Sequence, residues 1–121
     1  MLFMSNTKTD IEYFDFILTK INDIESFIKK YEKISVLLKD TMGRDASLMC
    51  LLQVGETLNK LNNNYKSLDK DDIKGAYDVR NFIAHDYMGV DLGFIEAIIR
   101  VRLPQLKQTI ELITQNLGTV H

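Results

Sequence analysis

Proline occurs once and glycine six times in 121 residues. A small sandwich or barrel needs a turn signal about every 8–12 residues, so this shortage weighs against an all-β fold. Cys50 is alone, which excludes an intramolecular disulfide and fits a reducing compartment. Set among Met49, Leu51 and Leu52, it reads as a small buried hydrophobe. No apolar run approaches the ~20 residues of a membrane helix. The opening Met1-Leu2-Phe3-Met4 is too short for a signal-peptide core and lacks a basic flank, so a cytoplasmic location with no membrane association is expected. With one cysteine and two distant histidines, His85 and His121, no zinc set can be assembled. Neither a glycine-rich phosphate loop nor a nucleophile elbow is present, and no metal or cofactor is expected. A net charge of −2 argues against coating nucleic acid by bulk charge, while leaving room for a local basic cleft.

What remains is an ordinary globular composition, 45% hydrophobic and 26% charged. Area scaling for 14.0 kDa buries roughly two-thirds of the unfolded surface, enough for one domain over residues 1–121. Helical spacing dominates the pattern. After the polar Ser5-Asn6-Thr7, Thr9 or Asp10 is a candidate N-cap, and Ile11, Phe14, Leu18, Ile21, Ile28 and Tyr31 follow at helical steps. One amphipathic helix over residues 10–33 is expected, then a short one near 35–41. Met42-Gly43 punctuates, and a second long helix runs from about Asp45 to Leu61 with Gly55 inside it. A glycine there signals close approach of another backbone, since it costs on the order of 1 kcal/mol against alanine. Asn62-Asn63-Asn64 is expected to end that helix through the αL conformation. Ser67 or Asp69 could start the next, over about residues 69–83. Asp91 caps a last helix reaching about Leu117, which Pro104 should kink or restart. The fold class is all-α: an antiparallel four-helix bundle with an additional short helix. Phe14, Phe16, Ile17 and Leu18 circle much of the first helix, wider than one bundle seam requires, which points to a homodimer.

The chemistry concentrates in Arg80-Asn81-Phe82-Ile83-Ala84-His85-Asp86-Tyr87. On a continuous helix, Arg80 and His85 stand about 140° apart around the axis, so they share a face only if the helix ends between them. The following Met88-Gly89 suggests that it does, with His85 projecting from a frayed end. Two readings of the residues stand side by side. Arg and His in a last helical turn complement the macrodipole; the same two residues could form a catalytic pair. Asp86 is equally a solvated carboxylate, and Tyr87 an aromatic that packs by its ring and bonds by its hydroxyl.

The Arg, four residues, His, one residue, Tyr pattern resembles the signature of the HEPN superfamily (higher eukaryotes and prokaryotes nucleotide-binding), in its HepT-like branch. Residues 51–61 are similar to that branch's second-helix Gly-Glu segment, Arg80 to Gly89 to its central motif, and Pro104 to a proline of its final helix. The resemblance covers about residues 9–117. It departs from the pattern at Asp71-Asp72-Ile73, where members often carry an aromatic residue. What the resemblance implies is a metal-independent endoribonuclease toxin whose two protomers line one cleft. The implied partners are RNA and a minimal nucleotidyltransferase antitoxin that attaches AMP to Tyr87. The residue types suit such chemistry: His85 can move protons near neutrality, and Arg80 can hold a phosphate and its developing charge. Asn81 could orient the phosphate or His85. Lys60, Lys66, Lys70, Lys74, Arg100 and Arg102 are candidates for a basic rim. The competing reading is a non-catalytic helical nucleotide-binding or regulatory partner of a nucleotidyltransferase; a purely structural dimer is the third.

Overall fold

The apolar series fold as helices, and the chain is all-α among its described residues. The computed structural model describes the backbone of residues 2–119 and the side chains of residues 9–117. His121 lies outside them. The order is α1 (Leu2–Tyr31), α2 (Ile34–Lys39), α3 (Thr41–Leu58), α4 (Lys70–His85), α5 (Leu92–Ala97) and α6 (Leu103–Thr119), with a π-helical turn at Ile98–Arg102 between the last two. Among the described residues, no helix is long and apolar enough to cross a membrane.

α1 starts well before its expected cap, and Asp10 is an internal residue of it, fully buried. Its carboxylate is a receptor for the loop between α3 and α4. Oδ1 accepts the backbone N–H of Asn62 at 2.8 Å and its side-chain amide at 3.1 Å. Oδ2 accepts the backbone N–H of Asn63 at 3.0 Å, its side-chain amide at 3.1 Å and the Tyr65 hydroxyl at 2.7 Å. The Tyr65 ring then packs edge-on against Phe14, centroids 5.1 Å apart. The asparagine run therefore does not act as an αL stop. α3 has already ended at Leu58, and Glu32 is the non-glycine residue with positive φ among those described. Asn62 and Asn63 serve as donors to a buried anion, which burial makes costly unless fully hydrogen-bonded.

α3 begins earlier than its apolar spacing suggests because Asp40 caps it, accepting the Gly43 N–H at 2.8 Å. Gly43 is not punctuation: it sits buried in the first turn of α3, where a Cβ would lie 2.7 Å from the Leu37 side chain. α4 starts with a capping box, Asp69 accepting the Asp72 N–H at 2.9 Å and Asp72 reaching back to the Asp69 N–H at 3.3 Å. Asp91 caps α5 as expected, accepting the N–H groups of Gly93 and Phe94. Pro104 restarts the last helix in its first turn, where a missing N–H is tolerated, and the turn before it widens to π.

Phe14, Ile17, Ile21 and Ile24 of α1 meet Leu48, Leu51, Val54 and Leu58 of α3 in the core, with Ile110 and Ile113 of α6. The apolar breadth of α1 is thus largely consumed within the chain. Phe14 and Ile17 are fully buried and Leu18 partly so, while Phe16 is 40% exposed with the Lys20 ammonium 5.2 Å from its ring centroid. α4 packs chiefly on α3. Where these two helices meet the C-terminal helices lies a groove of about 600 Å³, bounded by Leu51 and Val54 of α3, Ala76 and Val79 of α4, and Ile98 and Leu103.

Removing the Asp10 carboxylate leaves buried donors without an acceptor, each costing about 1–3 kcal/mol. Asp10→Ala should therefore lose about 3–5 kcal/mol of stability in urea melts. Burial, and then the bond to Asp10, push the Tyr65 hydroxyl well above its usual pKa. The folded chain keeps that proton where the unfolded chain releases it, so this contribution is complete below pH ~10 and lost as pH rises further. The stability gap between the wild type and Tyr65→Phe should accordingly be widest below that pH and shrink above it.

Candidate active site

The site begins at a missing side chain. A Cβ on Gly55 would lie 2.5 Å from the Ala76 carbonyl oxygen and 2.8 Å from Arg80 Cβ, so α4 rests directly on the α3 backbone, as the glycine signalled. That approach brings Arg80 against Glu56, the residue after the glycine. Arg80 Nε donates to Glu56 Oε1 at 3.0 Å, and Nη2 lies 3.0 Å from the same oxygen. Nη1 donates to Asn81 Oδ1 at 2.9 Å. The Tyr77 ring lies beneath the guanidinium, 5.5 Å from its carbon. Both partners of the ion pair remain about one-third exposed.

Asn81 thus holds Arg80 in place. His85 is the final residue of α4, exposed, and its imidazole makes no hydrogen bond among the described residues. The helix does not end between Arg80 and His85, contrary to expectation. It continues until Asp86, whose N–H still bonds the Phe82 carbonyl at 3.4 Å before the chain turns out at φ −143°. The two residues therefore stand about 140° apart around one axis and about 7.5 Å along it, and the chain does not bring them onto one face. Asp86 is more than a solvated carboxylate: it accepts the Gly89 N–H at 3.1 Å and shapes the loop to α5.

Tyr87 is half-buried against the core, and its hydroxyl donates to the Asp45 carbonyl at 3.1 Å. Burial, followed by the nearby Asp45 carboxylate, raises its pKa. Its neighbour Met88 is 98% exposed. Of the rim candidates, Lys74 is paired with Asp78 at 3.2 Å and Arg100 with Glu96 at 3.1 Å, while Lys60, Lys66, Lys70 and Arg102 are exposed. Among the described residues, no group of three or more His, Cys, Asp or Glu side chains could hold a metal ion. Glu56 is the residue the sequence reading left without a role; its position after a close-approach glycine was the available signal.

Residues 17–113 match the model of the ribonuclease HepT-like family. The chain belongs to that family. The matched span includes Gly55 and Glu56, the whole Arg80–Tyr87 motif and Pro104. A curated relative, "Putative RNase MJ1380" of Methanocaldococcus jannaschii, is 26% identical over 109 residues, covering 88% of this chain and 99% of its own length. No solved structure matches the chain significantly. HepT-like membership supports a ribonuclease function.

Two glycine substitutions should separate the contact from general helix effects. Gly55→Ala forces α4 away from α3 and should cost about 1–3 kcal/mol, as overpacking does. A Cβ on Gly75 meets nothing within 4 Å, so Gly75→Ala should stabilise α4 by about 0.5–1 kcal/mol through helix propensity. Urea unfolding of both variants measures the opposed signs.

Proposed function

We propose that this protein is an endoribonuclease toxin that cleaves RNA without a metal ion, working as a homodimer. The observation that carries the reading is the presence, on one helix, of an exposed imidazole and of a guanidinium fixed by Glu56, Asn81 and Tyr77. Because α4 is continuous through His85, the imidazole and guanidinium of one chain face different directions. A second copy, related by a two-fold axis, would bring the motif of each chain to one cleft. Met42, Met49, Phe82 and Met88, all exposed, supply apolar surface on α3 and around the motif for such pairing. Within each copy, the four long helices α1, α3, α4 and α6 would form the antiparallel bundle.

In this reaction the RNA 2′-hydroxyl attacks its own phosphate, losing its proton to one imidazole. The P–O5′ bond breaks, and the second imidazole of the cleft gives a proton to the leaving oxygen. The products are a 2′,3′-cyclic phosphate and a 5′-hydroxyl. Arg80 stabilises the phosphorane, whose negative charge exceeds that of the starting diester. The implied antitoxin, a minimal nucleotidyltransferase, moves AMP from ATP onto the Tyr87 oxygen and releases pyrophosphate. The phenol must first leave the Asp45 carbonyl, one hydrogen bond worth about 1 kcal/mol. A phenol is protonated near neutral pH, so the partner supplies the base. The attached phosphodiester then blocks the cleft by charge and volume.

His85→Ala and Arg80→Ala should each lower cleavage of RNA by about 10²–10⁴, with helicity and dimerisation retained. Cleavage should persist in EDTA and leave cyclic phosphate ends. Full activity of both variants would favour a phosphate-anchoring binding module, and dependence on added Mg²⁺ would remove the mechanism. A stable 14 kDa monomer in sedimentation at micromolar concentration would remove the shared cleft.

Tyr87 is tested with ATP, Mg²⁺ and the partner. The expected result is adenylate mass on the Tyr87 peptide, and a Tyr87→Phe protein that stays active beside its antitoxin. Neutralisation with an unmodified Tyr87 would mean the partner acts by binding alone.

A further inference from the structure

An arginine has five N–H donors. In Arg80, Nε and one N–H of Nη2 face Glu56 Oε1, and one N–H of Nη1 is taken by Asn81. Two donors remain, one on each Nη nitrogen, which is the number a two-pronged hold on a phosphate requires. The guanidinium is therefore oriented before any RNA arrives, but it is also partly neutralised, because a carboxylate sits 3.0 Å from it. A phosphate bound to the two free donors would also lie within a few ångströms of Glu56, with the same sign of charge. About one-third exposure of both side chains leaves that repulsion only partly screened.

We infer that Glu56 is the positioning residue of Arg80 and at the same time sets how weakly Arg80 holds a phosphate. Its oxygen fixes the guanidinium; its charge opposes the anion. The two effects belong to different parts of one side chain and can be separated. Glutamine keeps Oε1 as an acceptor at the same reach and removes the charge. Alanine removes both. This assignment rests on the ribonuclease reading for its catalytic half, and its binding half stands on Arg80 alone.

The binding arm uses a fully 2′-O-methylated RNA oligonucleotide, which has no 2′-hydroxyl to react, followed by fluorescence anisotropy at fixed ionic strength. Glu56→Gln should bind it about three- to thirtyfold more tightly than the wild type. In an Arg80→Ala background the same substitution should tighten binding much less, since no guanidinium then holds a phosphate beside Glu56. Equal affinity of Glu56→Gln and wild type, or an effect undiminished by the loss of Arg80, would overturn the assignment.

The turnover arm uses cleavable RNA. Glu56→Gln should lower KM with kcat within about threefold of wild type, whereas Glu56→Ala should lower kcat by tenfold or more, because the guanidinium then wanders. Wild-type kcat in Glu56→Ala would remove the positioning role. Melting curves establish that each variant is folded, and the isosteric glutamine keeps the binding arm valid where alanine is destabilised. Absence of cleavage by the wild type itself would defeat the ribonuclease reading and leave the binding arm to decide Glu56 separately.

Discussion

The contact on which the rest of the site depends is the bare meeting of α3 and α4 at Gly55. With no side chain between them, the Ala76 carbonyl and the Arg80 Cβ lie against the α3 backbone. A glutamate one position further along α3 then falls within reach of a guanidinium on α4 without either chain having to stretch. The pair is partly exposed, so its contribution to stability is small. Its importance is geometric: a long, rotatable arginine is reduced to one orientation by a carboxylate, an amide and a ring.

A second, fully buried carboxylate supports this arrangement from a distance. Asp10 gathers Asn62, Asn63 and Tyr65 of the loop that leads from α3 to α4. That loop decides where α4 begins, and the capping box at Asp69 then fixes its first turn. The chain thus uses one acid for architecture and another for the site. The architectural one is saturated with hydrogen bonds from neutral donors, whereas Glu56 is set against a cation that still has donors to spare.

Much of this was legible in local sequence. The caps at Asp69 and Asp91, the restart at Pro104 and the meaning of Gly55 each follow from short-range backbone chemistry, and each recurs in the fold. Asp10 was not legible, because its five donors lie 52 to 55 residues away and nothing near it in sequence distinguishes a buried acceptor from an N-cap. The Asn62–Asn64 run misled for the same reason: asparagine suits a helix stop, yet here tertiary partners claimed its donors. The end of α4 was placed too early because Met88-Gly89 looks like a terminator. Asp86, a residue of modest helix propensity, in fact closes the helix just after His85. Glu56 was visible only as half of a family-like Gly-Glu pair, since its partner lies 24 residues on.

The π-helical turn at Ile98–Arg102 has a consequence for the whole C-terminal third. Ile95, Ile99 and Leu103 are all buried, at consecutive steps of four. In an unbroken α-helix, eight residues would carry Leu103 about 80° around the axis from Ile95, towards the far edge of an apolar stripe about 100° wide. The wider turn underwinds the screw by roughly one residue and cancels that drift. The last two helices are therefore a single rod cut with two pitches. Its first stretch can lie along α2 and its second along α1 while one unbroken apolar edge faces inward.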